Sequence, residues 1–195
     1  MIALAMFILG YLSGSISAGI LVARLMGLGD PRDAGSGNPG ATNLLRLGGR
    51  KAAIITLLVD AAKGLIPVLA AQALQLESLW LALVGLAAFL GHLYPVFFGF
   101  RGGKGIATGF GVMLGWHWLL GAAGLLTWVL VAAVFRMSSL SALLSFALAP
   151  VYLLLLTGDV ALTAAMALMA VITAWRHREN IQRILRGEEP KIGKR

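Results

Sequence analysis

From Ile106 to Phe135 the chain runs for 30 residues without an Asp, Glu, Lys or Arg, and that run alone excludes most folds. As one helix it would be about 45 Å long at 1.5 Å per residue. A bilayer's hydrocarbon core is roughly 30 Å thick, so the run predicts two short spans, Ile106 to Trp118 and Leu119 to Phe135, meeting near Gly115 to Leu120. Further apolar stretches run Ile2 to Ala23, Ala52 to Ala73, Leu79 to Phe98, Leu140 to Leu156 and Val160 to Trp175. With 59% of its 195 residues hydrophobic and a mean hydropathy of +0.88, the chain carries more apolar surface than a soluble domain of this length buries. Lipid is its expected solvent. The first stretch, MIALAMFILGYLSGSISAGI, lacks the basic flank of a secretory signal and reads as a span that stays in the protein.

Charge sets the number of spans. All but one of the 16 basic residues, the exception being Lys63, fall in four places. Arg24, Arg32, Arg46, Arg50 and Lys51 lie in the first loop, Arg101 and Lys104 in the third, Arg136 after the fifth stretch, and the rest in the tail from Arg176 to Arg195. The connections around Glu77, Trp116 to Trp118 and Asp159 hold none. Basic loops face the cytoplasm, so an even number of spans separates the first loop from the tail, and seven spans satisfy this where six do not. The expectation is an all-α integral membrane protein: a single seven-helix membrane domain over residues 1–195, N-terminus outside and C-terminus cytoplasmic. The net charge of +8 would point to nucleic acid in a soluble protein, but here it fits anionic lipid headgroups. With no cysteine there is no disulfide, thiolate metal site or thioester-forming nucleophile.

Three basic-side segments carry candidate chemistry. The first loop reads GSGNPGATNLLRLGGRK from Gly35. Gly35, Gly37 and Gly40 match a dinucleotide-binding spacing, but the pattern needs a βαβ unit and the flanks here are membrane spans. What remains is an anion nest ringed by Ser36, Asn38, Thr42, Asn43 and Arg46. The third loop, FGFRGGKGIAT from Phe98, departs from the Walker spacing, yet Gly102, Gly103, Lys104 and Gly105 place an ammonium amid bare backbone where a helix begins, a favourable place for a phosphate. The seventh span ends in WRHREN, with His177 and Asn180 three apart on one helix face. The polar run Ser138, Ser139 and Ser141 falls on the same side.

Asp60 and Lys63 lie inside the second span, where each charge costs about 2.5 to 3.5 kcal/mol. Three apart, they read as a structural pair bracing the bundle. Gly10 with Gly14 and Gly111 with Gly115 have the small-xxx-small spacing of close helix packing in lipid. No H-x4-D or G-x-S-x-G motif is present, and the eight acidic residues form no cluster for a divalent metal.

Taken together, GSGNPGATN with Arg46, then GGKGIAT, then RHREN resemble the three cytoplasmic motifs of the bacterial acyl-phosphate glycerol-3-phosphate acyltransferase family, called PlsY. The resemblance implies transfer of a fatty acyl group from acyl phosphate to the 1-hydroxyl of glycerol 3-phosphate, giving lysophosphatidic acid and phosphate with no metal or cofactor. It implies a multi-pass protein of the bacterial inner membrane with its site at the cytoplasmic face. By the same resemblance Gly102, Gly103, Lys104 and Gly105 hold glycerol 3-phosphate, while Ser36, Asn38, Arg46, Ser139, His177 and Asn180 bind or orient the phosphates and Glu179 is structural. The family's S-L-A-S stretch is here Ser139, Leu140, Ser141, Ala142. The candidate partners are the two substrates, membrane lipids and an acyl-phosphate-producing enzyme, with no nucleic acid. The residues alone leave two alternatives, a transporter for a small phosphorylated anion and a non-catalytic lipid-binding scaffold.

Overall fold

A computed structural model describes residues 1–193; Lys194 and Arg195, counted above with the basic tail, lie outside the described residues. The regular structure among the described residues is helical throughout. In order it comprises α1 (Ile2–Gly14), α2 (Ala18–Leu25), α3 (Ala41–Ala73), α4 (Ser78–Leu93), α5 (Ile106–Trp116), α6 (Trp118–Phe135), α7 (Ser138–Thr157), α8 (Val160–Arg176) and α9 (Arg178–Leu185), with a 3₁₀ turn at Val96–Phe98.

The surface is apolar and the interior holds much of the polarity, the reverse of a soluble domain. On α6, Leu126, Val129, Leu130, Val134 and Phe135 are exposed, while Thr56, Asp60, Lys63, His92, Thr108 and Ser145 are buried. The core proper centres on Phe146, whose ring meets Phe89 at 6.2 Å and Phe110 edge-on at 5.8 Å.

Helices approach closely where the chain places glycine. A Cβ on Gly14 would collide with the Ala88 carbonyl, and one on Gly91 with the Tyr11 carbonyl, so α1 and α4 touch backbone to backbone. Gly64 against Thr108 and Gly111 against Ala61 do the same for α3 and α5. The small-xxx-small spacings at Gly10 with Gly14 and Gly111 with Gly115 therefore sit at real interfaces.

Span by span, the structure refines the sequence reading. The first stretch is two helices, α1 and α2, bent by 42° at Ser15 to Ser17. The second begins earlier than expected, as α3, and kinks at Gly49, whose φ of 73° and ψ of −168° interrupt the helix before its apolar part. Four segments are long and apolar enough to cross a bilayer: α3, α4 continued through the turn to Phe98, α6 and α7. Counting α1 with α2 and α8 with α9 as bent spans makes six. The fourth expected span is α5, whose 11 residues reach only about 16 Å.

The two ends of the bundle differ in chemistry. At one, the Trp116 indole donates to Leu81 O at 3.0 Å and the Gln72 amide donates to Trp116 O at 3.4 Å, tying together the connections that lack basic residues. The other end gathers the basic loops and holds the site.

Candidate active site

The glycine loop owes its shape to α4. Gly102 N–H donates to Leu93 O and Gly103 N–H to His92 O, both at 3.2 Å, so the loop satisfies carbonyls left open where α4 ends. These two amides are therefore consumed within the protein. They are glycine because a Cβ on Gly102 would strike the His92 carbonyl and one on Gly103 the His92 ring. Gly105 is left-handed at φ 82°, and Gly109 N–H closes onto its carbonyl at 2.7 Å. The amides of the preceding first turn, from Ile106, thus lack intrahelical acceptors and present the positive end of α5 beside Lys104.

Around Lys104 three distant segments meet. Its ammonium donates to Asn180 Oδ1. Asn180 Nδ2 donates to Glu189 Oε1 at 2.6 Å, and Ser139 Oγ donates to the same oxygen at 2.6 Å. Arg183 Nε holds Glu189 Oε2 at 2.8 Å. Burial, and then the Arg183 charge, lower the Lys104 pKa from the usual lysine range. Burial pushes the Glu189 carboxyl up, but its hydrogen bonds from Ser139, Asn180 and Arg183 outweigh that and hold it below the ordinary range.

His177, only 3% exposed, caps α8 with its Nδ1 2.9 Å from Thr173 O. A carbonyl only accepts, so Nδ1 carries the proton and Nε2 keeps its lone pair. Burial first, then the Lys104 charge, push its pKa down to about 4. Glu179 is exposed and forms no ion pair among the described residues.

The first loop lies beside the third, joined to it through Arg32 and Phe98. Its fold is set by Asn43, whose Oδ1 accepts from Ser36 N–H at 3.0 Å and whose Nδ2 donates to Pro31 O at 2.9 Å and Ala34 O at 3.0 Å. These bonds make Asn43 the clamp of the loop. Gly35 and Gly37 are left-handed, at φ 62° and 67°, as the turns demand. Ser36, Thr42 and Arg46 are exposed, and Asn38 is half-buried. Arg32, held by Asp30 at 2.7 Å, donates to Phe98 O at 3.0 Å; that partnership keeps the Asp30 carboxyl at about 2. A cavity of about 260 Å³ opens between the loops, lined by Arg32, Gly37, Phe100, Arg101, Gly102 and Arg176. Arg176 donates to Gly102 O at 3.3 Å and Gly103 O at 3.0 Å and lies over the Tyr94 ring.

Behind the glycine loop sits the buried charge pair. Lys63 Nζ is 2.8 Å from Asp60 Oδ1 and donates to Ile16 O at 2.6 Å, a carbonyl freed by the break between α1 and α2. His92 Nδ1 lies 3.5 Å from Asp60 and 3.1 Å from Thr108 Oγ1, with its ring against Gly103.

The family model described as glycerol-3-phosphate acyltransferase matches residues 4–187. The chain belongs to the glycerol-3-phosphate acyltransferase family. The acyltransferase is 61% identical to the relative so named in Thioalkalivibrio sulfidiphilus over 99% of this chain and 95% of that one, and 55% identical to that of Methylococcus capsulatus over 94% and 92%. It superposes on a crystal structure of PlsY, an integral membrane glycerol 3-phosphate acyltransferase in its glycerol 3-phosphate form, with a TM-score of 0.94 at 38% identity, covering 99% of this chain and 96% of that one. The lysophosphatidic acid form of PlsY gives 0.92 at 37% identity over the same shares. The resemblance read from the motifs is borne out, and an acyltransferase of the membrane replaces the transporter and scaffold alternatives.

Of the residues expected from the motifs, the acyltransferase brings Lys104, Ser139 and Asn180 into one hydrogen-bonded cluster with His177 beside it. Ser36 and Asn38 stand on the first loop, Thr42 and Arg46 on the first turns of α3, and none of them makes a side-chain hydrogen bond to the cluster. Sequence reasoning missed Glu189, Arg183, Arg176 and His92. In the sequence Arg176 and Arg183 read only as orienting charge, and the available signal for Glu189 is an acidic pair, Glu188 and Glu189, inside an otherwise basic tail.

Proposed function

We propose that this acyltransferase moves a fatty acyl group from acyl phosphate to the 1-hydroxyl of glycerol 3-phosphate, releasing lysophosphatidic acid and inorganic phosphate. The observation that carries the reading is the meeting of Lys104, Ser139, Asn180 and His177 at the basic end of an apolar bundle, where the glycine loop that carries Lys104 also lends Gly102 to an arginine-lined cavity. Two phosphorylated headgroups need cations and donors at one level while an acyl chain lies in lipid, and this arrangement supplies both. The two PlsY crystal structures, a glycerol 3-phosphate form and a lysophosphatidic acid form, hold an acceptor and a product that differ by one acyl group.

The reaction is substitution at the acyl carbon of a mixed anhydride. The acceptor hydroxyl oxygen forms the new ester bond, the bond from acyl carbon to the bridging phosphate oxygen breaks, and the electron pair leaves with phosphate. Lys104 and the start of α5 hold glycerol 3-phosphate, Ser36 and Asn38 from the first loop and Arg46 from the start of α3 reach the acyl phosphate, and Ser139, Asn180 and His177 orient the groups. Phosphate is a good leaving group, so positioning and charge stabilisation supply the catalysis without an acyl-enzyme. The hydroxyl proton passes to a substrate phosphate oxygen, because neutral His177 with a pKa near 4 is a poor base at pH 7.

The chain crosses the bacterial inner membrane seven times, N-terminus outside, with the site at the cytoplasmic face. In this reading α5 is the short fourth span, and the Asp60–Lys63 pair braces the bundle. Purified protein given palmitoyl phosphate should release phosphate only when glycerol 3-phosphate is added. Equal release without the acceptor would make it a phosphatase and defeat the proposal.

A further inference from the structure

The chain beyond α9 turns back over the site. Gly187 is left-handed at φ 71°, and Glu188 N–H closes on Arg183 O at 2.8 Å. Farther on, Ile192 N–H donates to Arg136 O at 2.6 Å, while the Arg136 guanidinium donates to Ile192 O at 3.0 Å. This two-way clasp pins the segment at the start of α7 and brings in the Glu189 carboxylate, whose side chain is only 6% exposed.

A carboxylate is an odd neighbour for a phosphate site, and the mechanism above gives it no step. Its geometry shows a use. Asn180 carries a carbonyl oxygen that only accepts and an amino group that only donates. An ammonium only donates, so Lys104 must meet the oxygen; an ionised carboxylate only accepts, so Glu189 must meet the amino group. Both conditions hold together in one orientation of the amide, and the carboxylate selects it. Removing the carboxylate leaves the amide free to turn its N–H groups toward the ammonium. The same Glu189 oxygen also accepts a hydrogen bond from the Ser139 hydroxyl, and Arg183 on the other oxygen fixes the carboxylate in turn.

We propose that Glu189 is a positioning residue for acyl transfer, which sets the Asn180 amide and the Ser139 hydroxyl and through Asn180 aims the Lys104 ammonium at the acceptor phosphate. The inference rests on the reading of Lys104 as the contact for glycerol 3-phosphate. It deepens that reading by adding a residue from the tail.

The test uses full-length protein in detergent, with palmitoyl phosphate as donor. Glu189→Gln keeps size and shape but lacks the acceptor set needed by Ser139, Asn180 and Arg183 at once. It should raise the KM for glycerol 3-phosphate roughly 10- to 100-fold, the effect of losing one charge-assisted hydrogen bond, while leaving the thermal midpoint close to wild type. Glu189→Asp should recover part of the loss. In a Lys104→Ala background, Glu189→Gln should add little, since it acts through Lys104. A lower KM or higher turnover in Glu189→Gln would overturn the inference and make the tail an internal competitor for the phosphate site. An unchanged KM, or a full additional loss beside Lys104→Ala, would also overturn it. If Glu189→Gln misfolds, Arg183→Gln, which frees the carboxylate without removing it, must raise the same KM or the inference fails. Failure of the parent reading is separate, because then wild-type protein itself transfers no acyl group to glycerol 3-phosphate.

Discussion

His177 is buried and Lys104 half-buried, and they play different parts: the first is neutral at pH 7, with its pKa near 4, and the second donates to Asn180. The second ionisation of a phosphate monoester falls near 6, so a substrate phosphate matches the proton acceptor's task better than this imidazole. The acid limb of kcat/KM is therefore expected near pH 6 and should survive His177→Gln; loss of that limb in the variant would make histidine the base. The same depressed pKa makes folding less favourable as pH falls from about 6.5 toward 4, because the unfolded chain takes up the proton first. For the buried pair, Lys63→Met strands the Asp60 carboxylate and the Ile16 carbonyl, a loss of about 3 to 5 kcal/mol. The double variant Asp60→Asn/Lys63→Met should unfold at a higher temperature in detergent than Lys63→Met alone, and a double variant that is worse would argue against bracing. The motifs exposed Lys104, Ser139 and Asn180 because each sits in a recognisable run of polar residues. The acidic pair marks Glu189 in the sequence, but its role is not legible there for a physical reason: its partners come from positions 139, 180 and 183, and only the reversal at Gly187 joins them. Asn43 was legible as a donor, but its consumption by Pro31, Ala34 and Ser36 depends on loop closure.

Among the helices, hydropathy located each apolar stretch but not its breaks. The polar run from Ser13 to Ser17 passed as part of one span because its groups are satisfied from elsewhere: Ser13 Oγ donates to Lys63 O at 3.0 Å, and Lys63 caps Ile16 O. The kink at Gly49 was equally hidden, since a left-handed glycine leaves hydropathy unchanged. Glycine spacing, by contrast, forecast the interfaces well. Gly111→Val should separate α3 from α5, because the added atoms meet the Ala61 backbone, and should lower the thermal midpoint and yield of folded protein. Gly29→Ala, with open space around it, is the matched control. Equal midpoints for the two would show that the close approach of α3 and α5 contributes little.

The molecule as a whole sorts its charge by end, and the topology proposed above follows from that asymmetry. The chain has no cysteine, so single cysteines label cleanly. Ser78→Cys should react with an impermeant maleimide from outside the cell and Lys191→Cys only after the cytoplasmic face is opened; labelling of both from one side would remove the seven-span arrangement. The short α5 makes this test worthwhile, since length alone does not secure it as a crossing. The central claim is the donor and the site that receives it. Purified protein incubated with glycerol 3-phosphate should form lysophosphatidic acid and phosphate in equal amounts from palmitoyl phosphate, form none from a palmitoyl thioester, and lose most of that activity in Lys104→Ala. Product formed equally well from the thioester, or undiminished turnover in Lys104→Ala at low glycerol 3-phosphate, would contradict the account.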